Sequence, residues 1–111
     1  MAKFVRGDVV VVVFPFSDLT QTKKRPALVV AEVASSDFIL CQITSQATKN
    51  DKVIALKSSD FESGSLKLDS YIRPDRLFTA SDKIILYKAA HLKPIKLDAV
   101  VDVIIQMMRA K

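Results

Sequence analysis

Residues Val9 to Phe14 are five valines followed by a phenylalanine, an unbroken apolar run that restricts the chain to few folds. β-Branched side chains crowd a helical turn and suit the pleated surface of a strand. A strand that is apolar at every position, rather than at every second one, is covered on both faces. The chain must therefore place structure above and below this strand. Lys3 and Arg6 precede the apolar stretch, as in a signal peptide, but that stretch, taken from Val9 to Phe16, contains Pro15 and lacks a small-residue cleavage site. It is also far shorter than the roughly 20 residues that span a bilayer. The segment reads as a buried strand of a cytoplasmic protein with no membrane association.

Further strands follow by the same reasoning. Residues 15–26, "PFSDLTQTKKRP", are rich in turn formers and read as an exposed loop ending in the basic cluster Lys23, Lys24 and Arg25. Pro26 keeps Arg25 extended, and residues 27–33 begin a second strand. Residues 37–44 form a third strand, residues 45–51 a polar loop, and residues 52–56 a short fourth strand. The segment 58–66 combines turn residues with Gly64, and a fifth strand covers 68–78. Residues 82–92 suit a sixth strand or a short helix, because periodicity does not separate the two. From Ile95 to Arg109, the polar residues Asp98, Asp102, Gln106 and Arg109 recur at helical spacing and leave a wide apolar arc. Part of that arc suits a groove of the sheet, and the remainder suits a second subunit. The expected fold is mainly β with a C-terminal helix: a small, strongly curved antiparallel barrel with the helix packed on it.

At 111 residues, half of them hydrophobic, residues 1–111 are expected to form one domain. Seventeen Lys and Arg against twelve Asp and Glu give a net charge of +5, a balance that suits a polyanionic partner. The single Cys41 and single His91 exclude an internal disulfide and a zinc site built from Cys and His. Cys41 reads as a small buried hydrophobe, and His91 as a structural or surface residue. No phosphate-cradling glycine loop, metal-ligand cluster or catalytic triad order is present. Any catalysis is therefore expected to use neither metal nor cofactor.

The fifth strand carries the most informative constellation. In an extended segment Tyr71, Arg73 and Asp75 share one face, while Ile72 and Pro74 share the other. Pro74 lacks an N–H, which places this stretch at an edge or a bulge. Arg73 and Asp75 together suit a phosphate and its neighbouring hydroxyl; a charged pair that protects an exposed edge suits the same residues. Arg25, braced by Pro26, offers a bidentate phosphate contact. Thr44 and Ser45 end the third strand with hydroxyls that suit a phosphate, a base or a turn.

The segments "RGDVVVVVFPFSD", "KRPALVV", "ILCQITSQ" and "DSYIRPDRLFTAS" stand in an order and spacing that resemble the MazF/PemK family of toxin endoribonucleases. With the closing helix, the likeness covers almost the whole chain. It implies an SH3-like curved barrel of the MazF/PemK/CcdB kind, usually a homodimer. It also implies metal-independent cleavage of single-stranded RNA by attack of the 2′-OH, and a cognate acidic antitoxin as partner. By position it marks Arg25, Thr44, Arg73 and Asp75 as catalytic. Lys23, Lys24, Ser45, Gln46 and Arg76 flank them as the expected RNA-binding residues. Some members carry a histidine in the loop after the first strand; residues 17–24 have none. Two other readings share the barrel: a non-catalytic toxin of the CcdB type directed at gyrase, and an SH3-like module that binds RNA or protein. The chain ends "IIQMMRAK", without the aromatic and glycine residues of gyrase-directed endings.

Overall fold

A computed structural model describes residues 4–15, 22–46 and 50–110. Parts of the loops expected at 15–26 and 45–51 lie outside the described residues. Seven strands and one helix follow in order: β1 (Asp8–Pro15), β2 (Thr22–Ala34), β3 (Asp37–Thr44), β4 (Ile54–Leu56), β5 (Phe61–Gly64), β6 (Ser70–Ser81), β7 (Ile85–Leu92) and α1 (Pro94–Arg109). Every recorded strand pairing is antiparallel, in the order β4-β6-β3-β2-β1-β7-β5. The two edge strands are linked by one 3₁₀ turn, Ser58–Asp60. The sheet is thus curled into a half-barrel whose edges come together at that turn.

The valine run explains the layering. Val9 enters one buried cluster with Leu28, Cys41, Ile43, Ile72, Leu92, Leu97 and Val100. Val10 and Val12, on the opposite face, enter a second with Phe4, Val29, Phe38, Leu40 and Ile85. Helix α1 covers the first cluster with Leu97 and Val100, while Asp98, Asp102, Gln106 and Arg109 face outward as the spacing requires. Lys96 anchors the start of α1 over the seam: its Nζ donates to the Ala55 carbonyl at 2.8 Å and lies 3.2 Å from Asp60 Oδ2.

Two expectations need correction, and one left open is decided. Lys23, Lys24 and Arg25 belong to β2, paired with Phe14, Val13 and Val12, instead of ending a loop. Main-chain pairing along β1 outweighs the turn propensity of the local sequence. Residues 61–64, read as turn, form β5 against β7. Gly64 makes that pairing possible: its φ is +72°, and a Cβ there would strike the Ala89 carbonyl and Ala90 Cα. Residues 82–92 divide into a 3₁₀ turn, Asp82–Ile84, and the strand β7.

One buried charge ties the entry of β1 to β7. Asp8 is only 2% exposed. It accepts from Val5 N–H at 2.9 Å, lies 2.7 Å from His91 Nδ1, and has Lys88 Nζ at 3.6 Å. His91 Nε2 in turn stands 3.7 Å from Glu62 Oε2. His91 is therefore structural, joining β1, β5 and β7.

Candidate active site

Pairing between β3 and β6 runs regularly from Asp37↔Ser81 to Cys41↔Leu77, then resumes at Gln42↔Arg73. Pro74, Asp75 and Arg76 thus have no partner on β3, and the strand bulges outward there. Pro74 is the reason this is tolerated, since it has no ladder N–H to lose. Beneath the bulge, the Cys41 thiol donates to the Arg73 carbonyl at 2.9 Å. Burial first, and then the Asp75 charge, push that thiol up to about 12, so it serves as a packed donor and not as a nucleophile. On its other side β6 pairs with β4 only from Ser70 to Ile72.

Within the bulge Arg73 and Asp75 meet. Arg73 Nη2 donates to Asp75 Oδ2 at 2.8 Å, and Arg73 Nε to Oδ1 at 3.3 Å. The side chains are 18% and 29% exposed, so the pair is accessible yet partly desolvated. A third donor, Asn50 Nδ2 from the turn before β4, reaches Asp75 Oδ2 at 2.9 Å. Partial burial alone would raise the Asp75 pKa, but Arg73's hydrogen bond and charge, a backbone N–H and the Arg76 charge outweigh it and hold it below 3.8. The carboxylate is ionised and well occupied.

Strand register places the other candidates. Arg25 pairs with Val12, Ala27 with Gln42, Gln42 with Arg73, and Thr44 with Tyr71. Directly paired residues share a sheet face, so Arg25, Gln42, Thr44, Tyr71 and Arg73 project on one side. Arg25 and Arg73 lie two strands and two residues apart, about 12 Å between Cα atoms for ordinary sheet spacings. Two extended arginine side chains are long enough to bridge a gap of that size. The Thr44 hydroxyl accepts from Gln46 N–H at 3.2 Å, which fixes its direction at the strand end. Arg76 is exposed in the bulge.

A cleft of about 360 Å³ is lined by Lys23, Lys24, Arg25, Ser45 and Lys67 together with Ile43, Leu66 and Leu68; Ile43 and Leu66 pack with the first buried cluster, on the other side of the sheet from Arg73. Arg73, Asp75 and Thr44 do not line it. Among the cleft residues, strand alternation puts Lys23 and Arg25 on the sheet face that carries Arg73. Sequence reasoning missed two members of this region. Asn50 was read only as part of the polar loop 45–51, and Lys67 falls between the segments read as turn and strand. Among the described residues, no group of three His, Cys, Asp or Glu side chains is placed to hold a metal ion.

A curled antiparallel half-barrel closed by a C-terminal helix defines a class of small, mainly β proteins. The chain belongs to the PemK-like, MazF-like toxins of type II toxin–antitoxin systems, whose family model matches residues 5–108. The fold is shared with MazF in a MazE–MazF complex from Deinococcus radiodurans, at 17% identity over 95% of each chain, TM-score 0.76. It is also similar to an endoribonuclease from a mycobacterial species, at 17% identity over 97% of this chain and 93% of that one, TM-score 0.72. Another mycobacterial endoribonuclease, bound to its cognate antitoxin, aligns at 16% identity over 97% of both chains, TM-score 0.73. Among curated proteins no match is found.

Proposed function

We propose that this toxin is an endoribonuclease that cuts single-stranded RNA without a metal, with Arg25, Thr44, Arg73 and Asp75 around the scissile phosphate. The observation that carries the reading is the Arg73–Asp75 pair, exposed in a bulge on the sheet face that also bears Arg25. RNA supplies its own nucleophile. The 2′-oxygen attacks phosphorus, its proton leaves to a base, the bond to the 5′-oxygen breaks, and that oxygen takes up a proton. The products are a 2′,3′-cyclic phosphate and a 5′-hydroxyl. Preorganised guanidinium groups lower the barrier by stabilising negative charge that develops on the phosphoryl oxygens. Arg25 and Arg73 fill that role, with Thr44 orienting the phosphate.

Asp75 is a weak base in this setting, because its lowered pKa leaves it little proton affinity at neutral pH. Its stronger role is to hold Arg73 in one orientation. Lys23, Lys24, Ser45, Gln46 and Arg76 extend the contact along the strand of RNA. The names of the solved neighbours, endoribonuclease and antitoxin complex, support the same reading. The partners proposed are a cognate acidic antitoxin and a second copy of the chain. Ile95, Ile105 and Met108 on the outer arc of α1 are exposed, as a helix shared with another subunit requires. No helix among the described residues is long and apolar enough to cross a membrane, which fits a toxin acting in the cytoplasm. The test is incubation of antitoxin-free protein with a long single-stranded RNA in EDTA. Cleavage at a few short sequences, with cyclic phosphate ends, is expected; intact RNA contradicts the reading.

A further inference from the structure

We propose that Asn50 is a positioning residue for this reaction: its side-chain amide holds the Asp75 carboxylate in the grip of Arg73 and ties the turn before β4 to the bulge of β6. The catalytic consequence rests on the nuclease reading above; the contact itself does not. Main-chain pairing of β4 with β6 stops at Ile54↔Ile72, one residue short of Arg73. Beyond that point the Asn50 Nδ2 donor to Asp75 Oδ2, at 2.9 Å, is the hydrogen bond that continues the link across 25 residues of sequence.

The amide has one sensible orientation. Its Oδ1 accepts from Lys52 N–H at 2.8 Å, and its carbonyl accepts from Val53 N–H at 3.3 Å. Reversing it would set an oxygen against the carboxylate and an amino group against an N–H. Asn50 is therefore fixed from behind by its own turn and donates forward to Asp75. An Arg73 side chain held only by its neighbour two residues away would swing with it; the Asn50 bond from a second element locks the carboxylate, and through it the guanidinium. Such alignment matters most for a step whose catalysis is positioning plus charge stabilisation. Among the described residues, the charged and titratable groups around Asp75 are Arg73 and Arg76 on β6 and Cys41 on β3.

Two variants separate this role from that of a simple turn residue. Asn50→Asp keeps the acceptor for Lys52 N–H but replaces the donor with a second carboxylate beside Asp75. Asn50→Ala removes both. RNA cleavage in EDTA is measured for each, together with titration of the Asp75 carboxyl carbon by NMR in RNA-free protein. Asn50→Ala is expected to lower kcat about tenfold with KM nearly unchanged, and to let Asp75 titrate at higher pH. Asn50→Asp is expected to be slower than Asn50→Ala at neutral pH. It should recover as the pH falls and one of the two carboxyls takes a proton. A wild-type rate in Asn50→Asp overturns the proposal, as does an Asp75 titration unmoved in both variants. Wild-type protein that cleaves no RNA defeats the nuclease reading instead, and the titration then decides the contact alone.

Discussion

Two aspartates of this barrel differ in what surrounds them. Asp8 is buried and shared among Val5, His91 and Lys88, which come from the chain entry and from β7. Asp75 stands in a bulge, held by Arg73 two residues away and by Asn50, with its side chain 29% exposed. Both are carboxylates beside cations. The first joins strands where no substrate can reach; the second stands where a phosphate can displace or share its partner. On the proposed reading, burial assigns one charge to stability and exposure leaves the other to chemistry.

The largest expected effect falls on the exposed pair. Arg73→Ala should lower RNA cleavage by roughly 10²–10³-fold, the usual loss on removing one preorganised donor to a developing oxyanion. Its melting temperature should stay near wild type, since exposed ion pairs contribute little to stability. Asp8→Ala should do the reverse. It strips the acceptor from Val5 N–H and leaves His91 and Lys88 facing an empty site, a loss of about 3 kcal/mol. The denaturant midpoint should drop with the slope unchanged. Gly64→Ala, which forces a side chain against Ala89 and Ala90 at positive φ, should cost about 2 kcal/mol while leaving the cleavage rate of folded protein intact. Smallest is Lys88→Ala, whose half-exposed side chain should contribute less than about 1 kcal/mol.

Acid titration sharpens the same contrast. The folded pKa of Asp75 is depressed, so the interaction is complete above the unfolded value and is lost as pH falls through the lower folded one. Cleavage profiles should therefore carry no acidic limb from Asp75 between neutrality and 3.8. A limb near pH 6 would assign the titrating group elsewhere.

What could be read from the sequence follows the range of the forces involved. The valine run announced a two-sided strand, and Val9 and Val10 do enter separate clusters. The i, i+4 polar stripe announced α1, and Pro74 announced the bulge. These signals are local, set by side-chain period and by the missing N–H of proline. Strand β5 was hidden because Gly64 reads as a turn unless its neighbour Ala89 is known. The basic cluster looked like a loop because β1 decides its conformation. His91 seemed to lack a partner because Asp8 is 83 residues away. Arg73 and Asp75 were legible as a pair since they share a strand face, but Asn50 was not, being 25 residues distant in a turn. Contacts made across the barrel leave no period in the chain.

The contrast between the two aspartates is tested most directly by measuring RNA cleavage in EDTA and unfolding free energy side by side for Asp75→Ala and Asp8→Ala. Asp75→Ala is expected to lose cleavage and keep its stability, and Asp8→Ala to lose stability and, while folded, keep cleavage. An Asp75→Ala protein that cuts RNA at the wild-type rate would contradict the assignment of chemistry to the bulge.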